Sequence, residues 1–154
     1  MPEPTRDADL RDHTITVLIS IADRILYDAI FEDVAEAGFE DIRRAHGRVF
    51  EAIDPAGSRV TDMAERLRMT KQAMGQLVDH LELGGYAERK PDPDDGRAKL
   101  VVLTEKGRRV ARTAITATNR LERRWADHLG PRRAREFRRA LEDVVAEFGR
   151  EHIR

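Results

Sequence analysis

The chain has 154 residues, a net charge of −1, 37% charged and 40% hydrophobic residues, and no cysteine. That length suits one domain, alone or with an oligomerisation extension, and the apolar content suffices for a core. The absence of cysteine excludes disulfides, thiolate zinc sites, iron–sulfur clusters and cysteine redox switching.

No segment has the apolar length of a membrane span, and the opening MPEPTRDADL is acidic where a secretion signal is basic and then apolar. A soluble cytoplasmic protein with no membrane partner is expected. The near-neutral total hides an uneven distribution. Residues 1–42 carry 3 basic and 11 acidic side chains, residues 43–58 carry 3 and 2, residues 59–109 carry 11 and 9, and residues 110–154 carry 11 and 7. An acidic head can pair with a basic tail and leave the middle to present a local positive face, and local field steers a polyanion more than the total does.

The first long segment, 13–37, lacks Gly and Pro. Ile15, Leu18, Ile19, Ala22, Ile25, Leu26, Ala29 and Ile30 recur at three and four, which predicts an amphipathic helix ended by Gly38. A shorter helix is predicted near 40–53, with Ile42, Val49, Phe50 and Ile53 inward, stopped by Asp54-Pro55-Ala56-Gly57. Two closely spaced helices follow. One spans about 61–67 with Met63, Ala64 and Leu67 on one side. Arg68-Met69 makes a tight connection, and Thr70 is the N-cap of a helix from Lys71 to Leu83 that ends at Gly84-Gly85.

Tyr86–Lys90 and Ala98–Leu103 alternate and are rich in β-formers, so with the PDPDDG turn between them they predict a hairpin. Thr104 opens a helix with Val110, Ala114, Ile115, Leu121 and Trp125 along an apolar stripe to Gly130. Pro131 suits the first position of a last helix whose buried face is Phe137, Leu141, Val144, Val145 and Phe148. Two short helices joined by a tight turn and followed by a hairpin form a winged helix-turn-helix. The fold class is therefore mainly α (α+β). The long helices at both ends are extra to that unit and cannot bury their stripes alone. They are expected to pack together and against a second copy, making a homodimer through Ile15, Leu18, Ile19, Leu121, Trp125, Phe137, Leu141, Val144, Val145 and Phe148. Residues 1–37 and 104–154 then form the dimerisation module, and 38–103 the winged helix-turn-helix lobe.

On a helical wheel of 71–83, Ala73, Met74, Leu77, Val78 and Leu81 share one side. Gln72, Gly75, Gln76 and Asp79 lie opposite, with Lys71 on the flank. Glutamine can read adenine bidentately in the major groove, and lysine can bond guanine or phosphate. Thr70 and the first free amides can hold a phosphate at the helix end. Gly75 costs about 1 kcal/mol relative to alanine in a helix interior, and at an outward position it suggests close approach by something large.

The turn admits two readings, a cation loop or a hairpin tip carrying arginine to a polyanion. Counted from Asp92, glycine comes fifth rather than sixth and the twelfth residue is Leu103 rather than a bidentate glutamate, so an EF-hand loop does not fit. As a tip, the aspartates bond nearby amides and tighten the turn. Arg97 then leaves it pre-oriented, held from behind by Asp94 or Asp95, to enter a minor groove. Arg89, Lys90 and Lys99 add phosphate contacts, which give affinity and register.

These stretches, VTDMAERLRMTKQAMGQLVDHLELGGYAERK and DPDDGRAKLVVLTEKGR, resemble the MarR (multiple antibiotic resistance regulator) family of transcription factors over nearly the whole chain. Asp95, Arg97, Leu103, Thr104 and Gly107 match its wing signature. The resemblance implies a dimeric repressor on pseudo-palindromic double-stranded DNA, with helix 70–83 in the major groove, Arg97 in the minor groove, and release by a small aromatic or phenolic effector. Two positions depart from the pattern. Gly96 stands where many members have a second arginine. Arg68 stands where glycine is common, at a cost of about 1 kcal/mol or more if its backbone is left-handed.

The effector site is expected near the first, second and fifth helices, with Tyr27, Arg43, His46, Phe50 and Arg112 as liners suited to an aromatic acid. The five histidines, His13, His46, His80, His128 and His152, have no paired helical spacing, so neither a zinc sensor nor any other cofactor is expected. A winged-helix module that docks a partner protein instead of DNA is the alternative, and it predicts binding insensitive to salt. No phosphate loop or nucleophile motif supports an enzyme, and Glu32-Asp33 reads as a solvated face.

Overall fold

The structure, a computed structural model, describes residues 13–152; residues 1–12 and 153–154 and the side chains of residues 150–152 lie outside the described part. Helix α1 (Ile15–Glu36) starts at Thr14, whose hydroxyl accepts the Val17 N–H. It stops at Gly38, which takes φ 92. Helix α2 is shorter than predicted, Arg44–Ala52 rather than 40–53. Phe39 and Ile42 are spent on a turn instead. The Phe39 N–H donates to the Val34 carbonyl and the Ile42 N–H to the Phe39 carbonyl, which points both side chains into the core.

Helix α3 (Val60–Arg66) ends at Arg68, left-handed with φ 51. The Met69 N–H reaches the Ala64 carbonyl and the Arg68 N–H the Glu65 carbonyl. This is the pair of bonds that closes a helix when a left-handed residue, usually glycine, follows the cap. Helix α4 (Lys71–Leu83) is capped by Thr70, whose hydroxyl accepts the Ala73 N–H at 3.1 Å. Strands β1 (Ala87–Pro91) and β2 (Lys99–Leu103) pair antiparallel from Ala87 opposite Leu103 to Pro91 opposite Lys99. Ser58 adds a bridge to Val101 that ties the middle of β2 to the segment leading into α3. Helix α5 (Glu105–Leu129) is capped by Thr104, and α6 (Pro131–His152) begins at the expected proline.

The core lies where α1, α2, α3, α4, the wing base and α5 meet. Val34, Val49, Met63, Met74, Val78, Leu81 and Val101 are fully enclosed there. Tyr86 is enclosed as well, and its hydroxyl donates to Asp41 at 2.5 Å. Burial and then the Asp41 carboxylate push the phenol up to about 12. Helix α6 packs on α5 but buries little of its stripe. Phe137, Leu141, Val144, Val145 and Phe148, expected as a buried face, are all exposed in the single chain, Val145 by 62%. Ile15 and Ile19 at the start of α1 are exposed too, while Leu121 is buried and Trp125 half-buried. The buried residues of the long helices are Ile30 and Val34 near the end of α1 and Gly107, Val110, Ala117 and Leu121 from the start of α5 onward. Among the described residues, no helix is long and apolar enough to cross a membrane.

Candidate nucleic-acid interface

Helix α4 turns Met74, Val78 and Leu81 into the core and leaves Lys71, Gln72, Gln76 and Asp79 exposed. A Cβ placed on Gly75 would meet nothing within 4 Å. That glycine therefore answers no packing demand inside the chain, and it leaves a bare patch of backbone between two amide side chains. Thr70 is exposed at the helix start.

The wing is held by a residue that the sequence pattern did not single out. Arg59, just before α3, grips Asp92 with Nε at 2.8 Å and Nη2 at 2.5 Å from the same carboxylate oxygen. Its Nη1 lies 3.5 Å from Asp95. Asp92 also accepts the Asp94 N–H at 2.9 Å, and Asp95 accepts the Arg97 N–H at 3.1 Å. The Asp94 amide and then Arg59 hold the Asp92 carboxyl below the usual carboxylate range. The aspartates thus tighten the tip as expected, but they do not hold the Arg97 side chain from behind. Their cation is Arg59. Among the described residues, Arg97 makes no ion pair, and it stands exposed at the tip.

The other basic residues divide. Arg89 is bonded to Asp79 at 2.9 Å and paired with Glu82, both on α4, so its charge links the wing to that helix rather than facing outward. Lys90 is exposed and 2.9 Å from Glu88, and Lys99 is exposed. No signal along the chain marks the Arg59 clasp, because its partner is 33 residues away.

The expected effector liners separate. A cavity of about 310 Å³ between α1, α2 and α5 is walled by Tyr27, Phe31, Phe50, Glu51, Val110 and Ala114 among others. Tyr27 and Phe50 are therefore placed there. Arg43, His46 and Arg112 are not. Arg112 lies instead on a polar groove of about 620 Å³ with Arg109 and Arg120, and it pairs with Glu105 at 2.7 Å. Arg43 is the exposed N-cap of α2.

His46 is buried, and its Nδ1 accepts the Arg43 N–H at 3.0 Å. Its ring stacks on that of His80 from α4, 4.3 Å between centroids and 5° from parallel. Burial, then His80 and Arg43, lower the His46 pKa. Acid therefore opposes this packing. From the ordinary value of 6.5 down to the lower folded-state value, the unfolded chain binds the proton first, so stability falls as pH falls through that window. Glutamine at this third helical position can still accept the N-cap N–H without titrating. His46→Gln is therefore expected to lessen the loss of melting temperature between about pH 7.5 and about pH 5.5; an unchanged loss would show that His46 does not carry it. Among the described residues, no cluster of three or more His, Asp or Glu is placed to hold a metal ion.

This architecture, a helix pair with an exposed amide-bearing helix beside an arginine-tipped hairpin, is that of winged-helix transcriptional regulators. A sequence profile described as MarR family matches residues 40–98. An uncharacterised protein of Mycobacterium tuberculosis is 30% identical over 113 residues, 71% of this chain and 76% of its own length. The fold is shared with the crystal structure of Rv1404 from Mycobacterium tuberculosis, at a TM-score of 0.73 and 23% identity over 95% of this chain and 97% of that one. It is shared also with wild-type MarR from Escherichia coli, at 0.69 and 22% over 86% and 97%. CouR from Rhodococcus jostii RHA1, solved bound to p-coumaroyl-CoA, aligns at 0.67 and 24% over 88% and 93%. The chain belongs to the MarR family, and it has the fold of the MarR and CouR structures.

Proposed function

We propose that the protein is a cytoplasmic homodimeric repressor that binds pseudo-palindromic operators and is released by a small effector. Segments 1–37 and 104–154 form the dimerisation module, and 38–103 the DNA-binding lobe. Helix α4 lies in the major groove, with Thr70 and Lys71 at phosphate or guanine, Gln72 and Gln76 at base edges, and Gly75 admitting the close approach. Arg97 enters the minor groove, and Lys90 and Lys99 meet phosphates. Arg89, occupied by Asp79 and Glu82, sets the wing on α4 instead. The carrying observation is Arg97, without an ion pair among the described residues, at a tip held by Arg59, beside an α4 face where Gln72 and Gln76 are exposed and a side chain at Gly75 would touch nothing. The aromatic cavity beside α1, α2 and α5 supports an effector site.

The test is fluorescence anisotropy with the DNA upstream of the protein's own gene, titrated over salt. Phosphate contacts make affinity fall steeply between about 50 and about 200 mM salt, whereas a protein-docking module would be nearly indifferent. Gln72→Ala or Gln76→Ala is expected to relax base preference by about 1–3 kcal/mol. Arg97→Ala is expected to weaken operator binding without unfolding. Arg59→Ala frees the tip and is expected to weaken it too, but to add little once Arg97 is gone, because the two act on one contact. Unchanged affinity in the Gln and Arg97 variants would defeat the assignment of faces.

A further inference from the structure

The 310 Å³ cavity is large enough for a small aromatic molecule, and its walls carry three aromatic rings, those of Tyr27, Phe31 and Phe50. Tyr27 and Phe31 stack at 6.1 Å, 9° from parallel. The Phe31 ring fits there because residue 47 is glycine; a Cβ on Gly47 would come within 2.5 Å of it. The sole ionisable group of fixed charge on the wall is a carboxylate. Glu51 accepts the Tyr27 hydroxyl at 3.1 Å through one oxygen, and it has no cationic partner among the described residues.

The cations that would have anchored an acid are elsewhere: Arg43 caps α2, His46 packs on His80, and Arg112 pairs with Glu105. The guanidinium of Arg44 lies 4.4 Å over the Tyr27 ring, is not part of the wall, and is neutralised by its pair with Asp23. That contact shows one face of Tyr27 already attracting a cation. Glu51 takes no part in the Arg44–Asp23 pair and stays the charged group of the wall. Burial and then the Glu51 carboxylate also raise the Tyr27 pKa, so the site resists a further anionic oxygen.

We infer that this cavity takes an organic cation, an aromatic molecule bearing an ammonium group, with Glu51 as its counter-ion and the rings of Tyr27, Phe31 and Phe50 as its walls. Ring faces and a carboxylate are complementary to such a group, because ring quadrupoles attract cations and the carboxylate gives the pair its sign. An aromatic acid meets the same rings but finds its charge facing Glu51. The inference rests on the effector reading above and specifies its chemistry.

Isothermal titration of the full chain with benzyltrimethylammonium, benzyl alcohol and benzoate tests it. The cation is expected to bind about tenfold tighter than benzoate, with the alcohol between them. Glu51→Gln, an isosteric change at an exposed residue, is expected to remove the advantage of the cation and leave the alcohol unchanged. Benzoate binding as tightly as the cation, a preference that survives Glu51→Gln, or no binding of any probe would each overturn it. Anisotropy with operator DNA and no probe, on both proteins, separates the two readings. Operator binding with no cation preference sinks only the cavity chemistry, whereas loss of salt-sensitive operator binding in the parent protein sinks the regulator reading.

Discussion

Gly107→Ala is expected to destabilise the fold by about 3 kcal/mol, lowering the melting temperature by roughly 10 °C. A Cβ at this position would sit 2.0 Å from the Tyr86 carbonyl oxygen and 3.0 Å from its carbon. Both are backbone atoms, and neither can swing aside. The same carbonyl already accepts the Thr104 N–H at 3.0 Å. The Thr104 hydroxyl donates to the Gly85 carbonyl at 2.7 Å and accepts the Gly107 N–H at 3.1 Å. The start of α5 is therefore locked onto the chain leaving α4, and a methyl group there must push the two apart. This explains the Leu-Thr-x-x-Gly end of the wing signature as a packing contact. Urea or thermal unfolding at fixed protein concentration measures the effect, the concentration being held because the proposed dimerisation would shift the midpoint. A change below about 0.5 kcal/mol, the size of an ordinary surface substitution, would refute the account.

Charging the outer face of α6 is expected to separate the subunits and to weaken operator binding by about 10²–10³-fold. Phe137, Leu141, Val144, Val145 and Phe148 follow the helical repeat and are exposed by 39–62%, a continuous apolar stripe of the kind that marks an interaction surface. Leu141→Glu with Val145→Glu places two carboxylates in the middle of that stripe, where burial against a second copy would leave them desolvated and unpaired. The affinity loss follows because two linked half-sites bind far more tightly than two free ones. Sedimentation should show a monomer, and circular dichroism should show the helices retained. A dimer that persists at micromolar concentration would remove this face from the interface.

The helix-turn-helix and wing were legible because their limits are local chemistry. Thr70 and Thr104 cap through their own hydroxyls, Gly84-Gly85 and Gly130 close helices, and Pro131 opens one. Arg68 was legible only as a condition, a left-handed arginine or a different turn, and its φ of 51 decides for the first. The start of α2 was misjudged because Ile42 continues the apolar spacing of Val49, Phe50 and Ile53 while belonging to a turn. In the interface, the outward face of α4 followed from periodicity alone. What binds the wing tip did not: the Arg59–Asp92 contact and the His46–His80 stack join residues 33 and 34 positions apart, and nothing short-range announces them. The cavity failed in the same way. Arg43, His46 and Arg112 were chosen by helix and charge, but packing set His46 on His80, paired Arg112 with Glu105 and left Arg43 exposed at the start of α2.

Gly75 sets two selective pressures against each other. Because a methyl group there would touch nothing in the chain, Gly75→Ala should firm the helix by about 1 kcal/mol. In the proposed complex the same atom would stand between the protein and the base edges. A lineage screened only for heat tolerance would drift to alanine at this position, and its most thermostable descendants would be the poorest at finding their promoter.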